Sequence, residues 1–242
     1  MSRLAFLLAG LALLVTGCGK SSGGEATGKI VIAVDVPVTG SPYVAQTIRN
    51  GVRLAADNLN GSGGIRVGDR SYRLAVKLYD NHLSARSAVN DTRRALDANA
   101  LAIVTDGTGI DATWQLANRD HVPIEIAYDG GTGLVDAATR PNVFRIAPTN
   151  RGIAFRYAEY LIPKKLKVAL LSDDSGYGRE GLAALDHAFS QNRDSVAARI
   201  VAPSSATDLA PQILQARRSG ATALLVWGQP SAIAEALIAA RS

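Results

Sequence analysis

The feature that most constrains this chain is an alternation that begins at Ile30, in which short apolar runs are each followed by a segment with apolar residues at helical spacing. Ile30 to Val34 (IVIAV) is apolar at every position, bounded by Gly28-Lys29 and by Asp35. A strand of this kind must be covered on both faces, the condition met in parallel sheets flanked by helices. Pro42 to Leu59 then places Val44, Ile48, Val52, Ala55, Ala56 and Leu59 on one helical face, and Gly61-Ser62-Gly63-Gly64 ends it. The pattern repeats as strand Leu74 to Leu78, helix Ser84 to Ala98, strand Leu101 to Val104, helix Ala112 to Arg119 and strand Ile124 to Ala127. Strands separated by helices predict an α/β fold with a parallel sheet.

After the strand Val143 to Ala147 (VFRIA) and the break at Pro148-Thr149-Asn150, the alternation restarts. It runs through helix Arg151 to Leu161, strand Lys167 to Leu171, helix Gly178 to Phe189 and strand Val196 to Val201, then helix Leu209 to Arg218, strand Ala223 to Trp227 and helix Ala232 to Ala240. The chain therefore divides into a first α/β lobe over residues 29–147 and a second over 148–242. Ser84 and Asp208 are expected to cap the helices that follow them.

The N-terminus has a different composition. Met-Ser-Arg precedes the apolar run Leu4 to Val15, and small residues lead to Cys18, the pattern of a secretory signal over residues 1–17. Residues 18–28 (CGKSSGGEATG) cannot bury apolar surface and read as a flexible linker. The Val15-Thr16-Gly17-Cys18 stretch resembles the lipobox of bacterial lipoproteins, which implies acylation of Cys18 and an extracytoplasmic, membrane-anchored protein. One acyl chain gives only marginal membrane binding, so the implied anchor carries more than one. Cys18 is the single cysteine, which leaves no disulfide to brace the fold.

The net charge of +5 is dispersed. Arg93-Arg94, Lys164-Lys165-Lys167 and Arg217-Arg218 fall on polar faces or helix ends, with no basic stripe interleaved with aromatics, so nucleic acid is not an expected partner. His82, His121 and His187 have no metal-ligand spacing, and no metal or cofactor is expected. Neither a Gly-x-Ser-x-Gly elbow nor a Walker-type lysine loop is present, and no Gly-x-Gly-x-x-Gly opens a helix after the first strand. Asp173-Asp174 could be taken for a catalytic carboxylate pair, but adjacent loop residues usually diverge. The chain is therefore not expected to be an enzyme.

In α/β units ligands bind beyond the carboxyl ends of the strands. The loops there span residues 35–43, 80–83, 105–111, 128–134, 172–179 and 228–231, and most are rich in Gly, Ser, Thr, Asp or Tyr. Such hydroxyls and free amides suit a small carboxylate or zwitterion. Asp80, just past a strand, reads as a turn cap.

The order of these segments resembles the type 1 periplasmic binding proteins, and within them the branched-chain amino-acid binding branch of ABC transporters. The resemblance rests on Ile30 to Gly40 (IVIAVDVPVTG), Gly51 to Asn60 with Gly63-Gly64-Ile65, and Leu78-Tyr79-Asp80 in the first lobe. In the second it rests on Val143-Phe144-Arg145-Ile146, Val168 to Ser172 and Asp173 to Gly178 (DDSGYG). It implies two lobes that close on an amino acid or similar small molecule and present it to an ABC permease. The alternative is a sensing or regulatory lipoprotein of the same fold that does not transport. It also implies a C-terminal part beyond Ser242. Carried over by position, it implies ligand contacts from Tyr43, Thr108, Gly109, Asp129, Gly130, Thr132, Tyr177 and Gln229, with Trp227 lining the far side. Asp129 stands where a small residue is expected and would pair with an ammonium or a second cation on the ligand.

Overall fold

The structure is a computed structural model that describes residues 27–241. The expected signal segment, Cys18 and nearly all of the linker lie outside the described residues. The first sheet and its helices comprise β1 (Gly28–Val36), α1 (Pro42–Gly61), β2 (Ile65–Val67), β3 (Arg70–Asp80), α2 (Ala85–Asp97), β4 (Ala100–Thr105), α3 (Ile110–Arg119), β5 (Ile124–Ile126) and β6 (Val143–Arg145). The second group comprises α4 (Asn150–Leu161), β7 (Val168–Asp173), α5 (Gly176–Ala188), a 3-10 turn at Arg193–Ser195, β8 (Val196–Ala202), α6 (Ala210–Arg218), β9 (Ala223–Trp227) and α7 (Pro230–Arg241).

The strand order is β2-β3-β1-β4-β5-β6 in one sheet and β8-β7-β9 in the other. Every pairing except β2 with β3 is parallel. The apolar strands lie at the centre, as their patterning requires. In β1, Val34 and Val36 pack against Val44, Ala45 and Ile48 of α1, while Ala33 faces a cluster containing Ala95 of α2 and Ala117 of α3. All six residues of β7 are buried. Val168 and Leu170 meet α4 and α5 through Ala154, Ala158, Leu185 and Phe189; Ala169 and Leu171 meet Ile213 of α6 and Ala236 of α7.

Several local features differ from the sequence reading. β1 begins at Gly28, against the Tyr72 ring, and Thr27 already exchanges hydrogen bonds with Ser71, so ordered pairing starts inside the segment read as linker. The β2-β3 hairpin was not anticipated, because three residues carry too little periodicity to register. It turns through Gly68 at φ +62°, and a two-residue hairpin with glycine first favours that geometry. Ser84 caps α2 by accepting from the Ser87 amide, as expected. Asp208 instead accepts from the Ala210 amide while Leu209 holds the N-cap position, so its cap acts from one residue further out. Asn99, His121 and Gly220 adopt left-handed conformations just past the ends of α2, α3 and α6, which accounts structurally for His121.

One buried carboxyl sets a pH dependence. Asp35, at the end of β1, is 4% exposed and its Oδ1 has no hydrogen-bond partner. Burial above all, then the Asp91 and Asp106 carboxylates, push it up to about 8 from 3.8. Between those values the folded chain keeps a proton that the unfolded chain has released, so stability falls as pH rises through the window and levels off above it. Taken alone the effect is about 1.4 kcal/mol per pH unit. Urea unfolding from pH 5 to 9 is expected to show this decline in the wild type and a markedly flatter profile in Asp35→Asn; equal slopes would contradict the assignment.

A second prediction concerns α5. A Cβ added at Gly181 would lie 2.2 Å from the Trp227 indole. Gly181→Ala is expected to cost about 1–3 kcal/mol by overpacking, read as a lowered midpoint in urea.

Candidate functional site

The two sheets point the carboxyl ends of β1, β3, β4, β5, β7 and β9 toward a shared cleft of about 480 Å³. Its first-lobe wall carries Gly40, Leu83, Asp106, Thr108, Tyr128 and Asp129, each in a loop just past a strand. The second lobe contributes Asp173 from the end of β7 and Ser175, Gly176 and Tyr177 from the start of α5, with Ser204, Gln229, Ser231 and Ala232.

The first-lobe wall is built around Asp106. This side chain is 5% exposed. Asn81 Nδ2 donates to its Oδ1 at 2.7 Å, and the Thr108 hydroxyl donates to its Oδ2 at 2.7 Å. The Asp129 amide donates to the Asp106 carbonyl at 2.7 Å, which ties the loop after β5 to the loop after β4. Gly107, at φ +119°, permits this approach, since a Cβ there would fall 2.5 Å from that of Asp129. Asp129 Oδ1 accepts from the Gly131 amide at 2.8 Å. Burial raises both carboxyls; the Thr108 and Asn81 hydrogen bonds oppose this at Asp106, and the Gly131 amide opposes it at Asp129.

The facing wall is aromatic and acidic. The Tyr177 ring lies 5.6 Å from that of Tyr128, across the cleft, and 5.9 Å from that of Trp227 behind it. Burial and then the field of Tyr128 raise the Tyr177 phenol, so it is neutral at physiological pH. Asp173 is 5% exposed, and its Oδ1 accepts from the Ser175 amide and hydroxyl at the start of α5. The lobes also meet where the Ser41 hydroxyl donates to Gln229 Oε1 at 3.0 Å. At the rim His82 and Leu83 both adopt positive φ, 53° and 55°, costly for side chains of this size and found where a site constrains the backbone.

Of the residues expected at the site, Thr108, Asp129, Tyr177 and Gln229 line this cleft. Tyr43 does not: it lies on the first turn of α1 and is 68% exposed. Gly109 is the left-handed N-cap of α3, packed on Ala85 and Ala88. Gly130 is closed in by Pro148 and Asn150, and Thr132 is exposed outside the cleft lining. Trp227 lies behind Tyr177, where it lines an adjoining cavity of about 290 Å³ within the second lobe. Asp80 caps the turn, accepting from Thr39 and from the His82 amide. Asp174 turns away from Asp173 and accepts from the Ser204 amide. The three histidines lie apart, and no cluster of metal-ligating side chains is found among the described residues.

Asp106 and Tyr128 are not among the residues expected at the site, and Asp173 enters the sequence reading only as half of a dismissed carboxylate pair and within the DDSGYG segment, although each sits at or just past the end of a strand. The segment Gly176-Tyr177-Gly178-Arg179-Glu180-Gly181 also matches the dinucleotide-binding spacing after a strand. Its glycines serve packing here: Gly178 lies against the Asp173 carbonyl and Gly181 against Trp227. The Gly178 amide is capped by the Ser175 hydroxyl, and the Asp173 carboxylate beside it stands against an incoming pyrophosphate.

Known structures share this architecture. An extracellular ligand-binding receptor from Verminephrobacter eiseniae is 20% identical with a TM-score of 0.74, the match covering 88% of this chain and 61% of that one. A solute-binding protein of an ABC transporter from R. palustris in complex with 4-hydroxybenzoate is 18% identical with a TM-score of 0.71, over 88% and 60% of the two chains. A leucine-binding protein from Thermotoga maritima is 18% identical with a TM-score of 0.67, over 81% and 55%. The chain thus spans between 55% and 61% of the length of these proteins. No curated protein sequence matches. The model of the family described as periplasmic binding protein matches residues 29–242, and the chain belongs to that family.

Proposed function

We propose that this chain captures a small molecule between its two lobes as the receptor of an ABC importer. The reading is carried by the cleft itself, which takes side chains from both lobes at the carboxyl ends of their strands. Hinge closure around a ligand is the transition such a site supports. An amino acid or related compound, the expectation from the resemblance, suits a space of about 480 Å³. The structural neighbours include proteins with leucine or hydroxybenzoate in their names, so likeness of fold leaves the ligand open. The signal-like N-terminus and Cys18 support an extracytoplasmic receptor held at the membrane by lipid, with a permease as its partner.

A ligand that binds only the folded state raises stability by about 2.7 kcal/mol at a hundredfold excess over Kd. Thermal unfolding of the mature chain against a panel of amino acids, short diamines and hydroxybenzoates is expected to show an upward Tm shift with at least one compound. Tyr177→Ala should abolish that shift, whereas Tyr43→Ala, altered outside the cleft, should preserve it. A panel that leaves the wild-type Tm unmoved would contradict capture, and a shift that survives Tyr177→Ala would displace the site.

A further inference from the structure

Resting on that reading, we infer that the cleft selects a small organic cation, an amine or guanidinium compound of net positive charge, rather than a neutral zwitterion or an aromatic acid.

The first support is the balance of charge in the lining. Asp106, Asp129 and Asp173 all line the cleft, and no lysine or arginine does. Two of the carboxylates belong to the first lobe and one to the second, so closure brings like charges together unless a cation lies between them. Oδ1 of Asp129 accepts from the Gly131 amide, and no hydrogen bond or ion pair engages its Oδ2 among the described residues. Oδ2 of the 5%-exposed Asp173 is similarly unengaged, while its Oδ1 is held by Ser175. Both residues belong to the cleft lining, so a cation held there would meet a carboxylate oxygen that no donor in the protein engages. Arg145, from the end of β6, is the cation that influences Asp129, but it lies outside the lining and its Nη1 donates to the Gly131 carbonyl. Repulsion from Asp106 outweighs its attraction. Glu180 on α5 lies close to Gly131 and adds a further carboxylate at the edge.

The second support is independent of charge counting. A hydroxyl has one proton to donate, and that of Thr108 goes to Asp106 Oδ2. What Thr108 presents to a ligand is therefore lone pairs, which suit an ammonium or guanidinium N–H and not a carboxylate. At the N-cap of α5 a carboxylate already stands, since Asp173 Oδ1 accepts from the Ser175 amide and hydroxyl, which disfavours a second anion there.

The test is isothermal titration of the mature chain with four probes: agmatine, arginine, leucine and 4-hydroxybenzoate. Agmatine or arginine is expected to bind at least tenfold more tightly than the other two, with affinity falling as salt is raised. Asp129→Asn keeps an oxygen for the Gly131 amide, so it should fold with an unchanged Tm and bind the cation at least tenfold more weakly. Leucine or 4-hydroxybenzoate binding as tightly as either cation would overturn the cation assignment while leaving capture intact. Unchanged cation affinity in both Asp129→Asn and Asp173→Asn would also overturn it. Failure of all four probes to bind the folded wild type would overturn the assignment and count against capture as well.

Discussion

Parallel pairing on both sides of β1 and β7 is the constraint on which the rest of the molecule depends. A parallel neighbour cannot be reached by a tight turn, so each pairing demands a crossover, and here every crossover carries a helix or a long loop. The helices cover both faces of the central strands, which is why Val34 and Leu170 are fully buried. The same connectivity brings the loops that leave the strand ends to one side of each sheet. Where the two sides face one another, backbone and side chains not consumed by the sheets become available to a ligand.

Burial gives the site its electrostatic character. Asp35, Asp91 and Asp106 are all at most 5% exposed and crowd the carboxyl end of the first sheet, with Arg94 paired to Asp91 at 2.9 Å. In that setting Asp35 relieves the repulsion by retaining a proton, whereas Asp106 is held by Asn81 and Thr108. At the cleft, Asp129 accepts from the Gly131 amide and Asp173 from the Ser175 amide and hydroxyl, each through Oδ1.

The fold was largely legible because its signals are long and repetitive. The alternation from β1 to α7 follows directly from apolar runs and helical spacing. β2 escaped notice because three residues hold almost no pattern, and β1 ran two residues further toward the N-terminus because Gly28 pairs despite having no side chain to announce a strand. The site was legible at the level of loops and less so at the level of residues. Placement after strands gave the loops, and the family resemblance gave the residues within them; of those, Thr108, Asp129, Tyr177 and Gln229 line the cleft, whereas Tyr43 and Thr132, named in the same way, lie outside its lining. Which way a loop residue turns depends on contacts distant in sequence, such as the Asp129 amide meeting the Asp106 carbonyl. The role of Thr108 shows the same limit, because only its geometry reveals that its proton goes to Asp106.

The central claim is that the two lobes form one trap, and the most direct measurement is the distance between them with and without ligand. Spin labels at Asp57→Cys on α1 and Arg218→Cys on α6, with Cys18→Ser to remove the native thiol, place one exposed probe on each lobe. Pulsed electron resonance should report a broad or longer distance distribution in the free protein that narrows and shifts when a saturating bound ligand is added. A distribution unchanged by a ligand shown calorimetrically to be bound would mean that the lobes do not close on it, and would contradict the account.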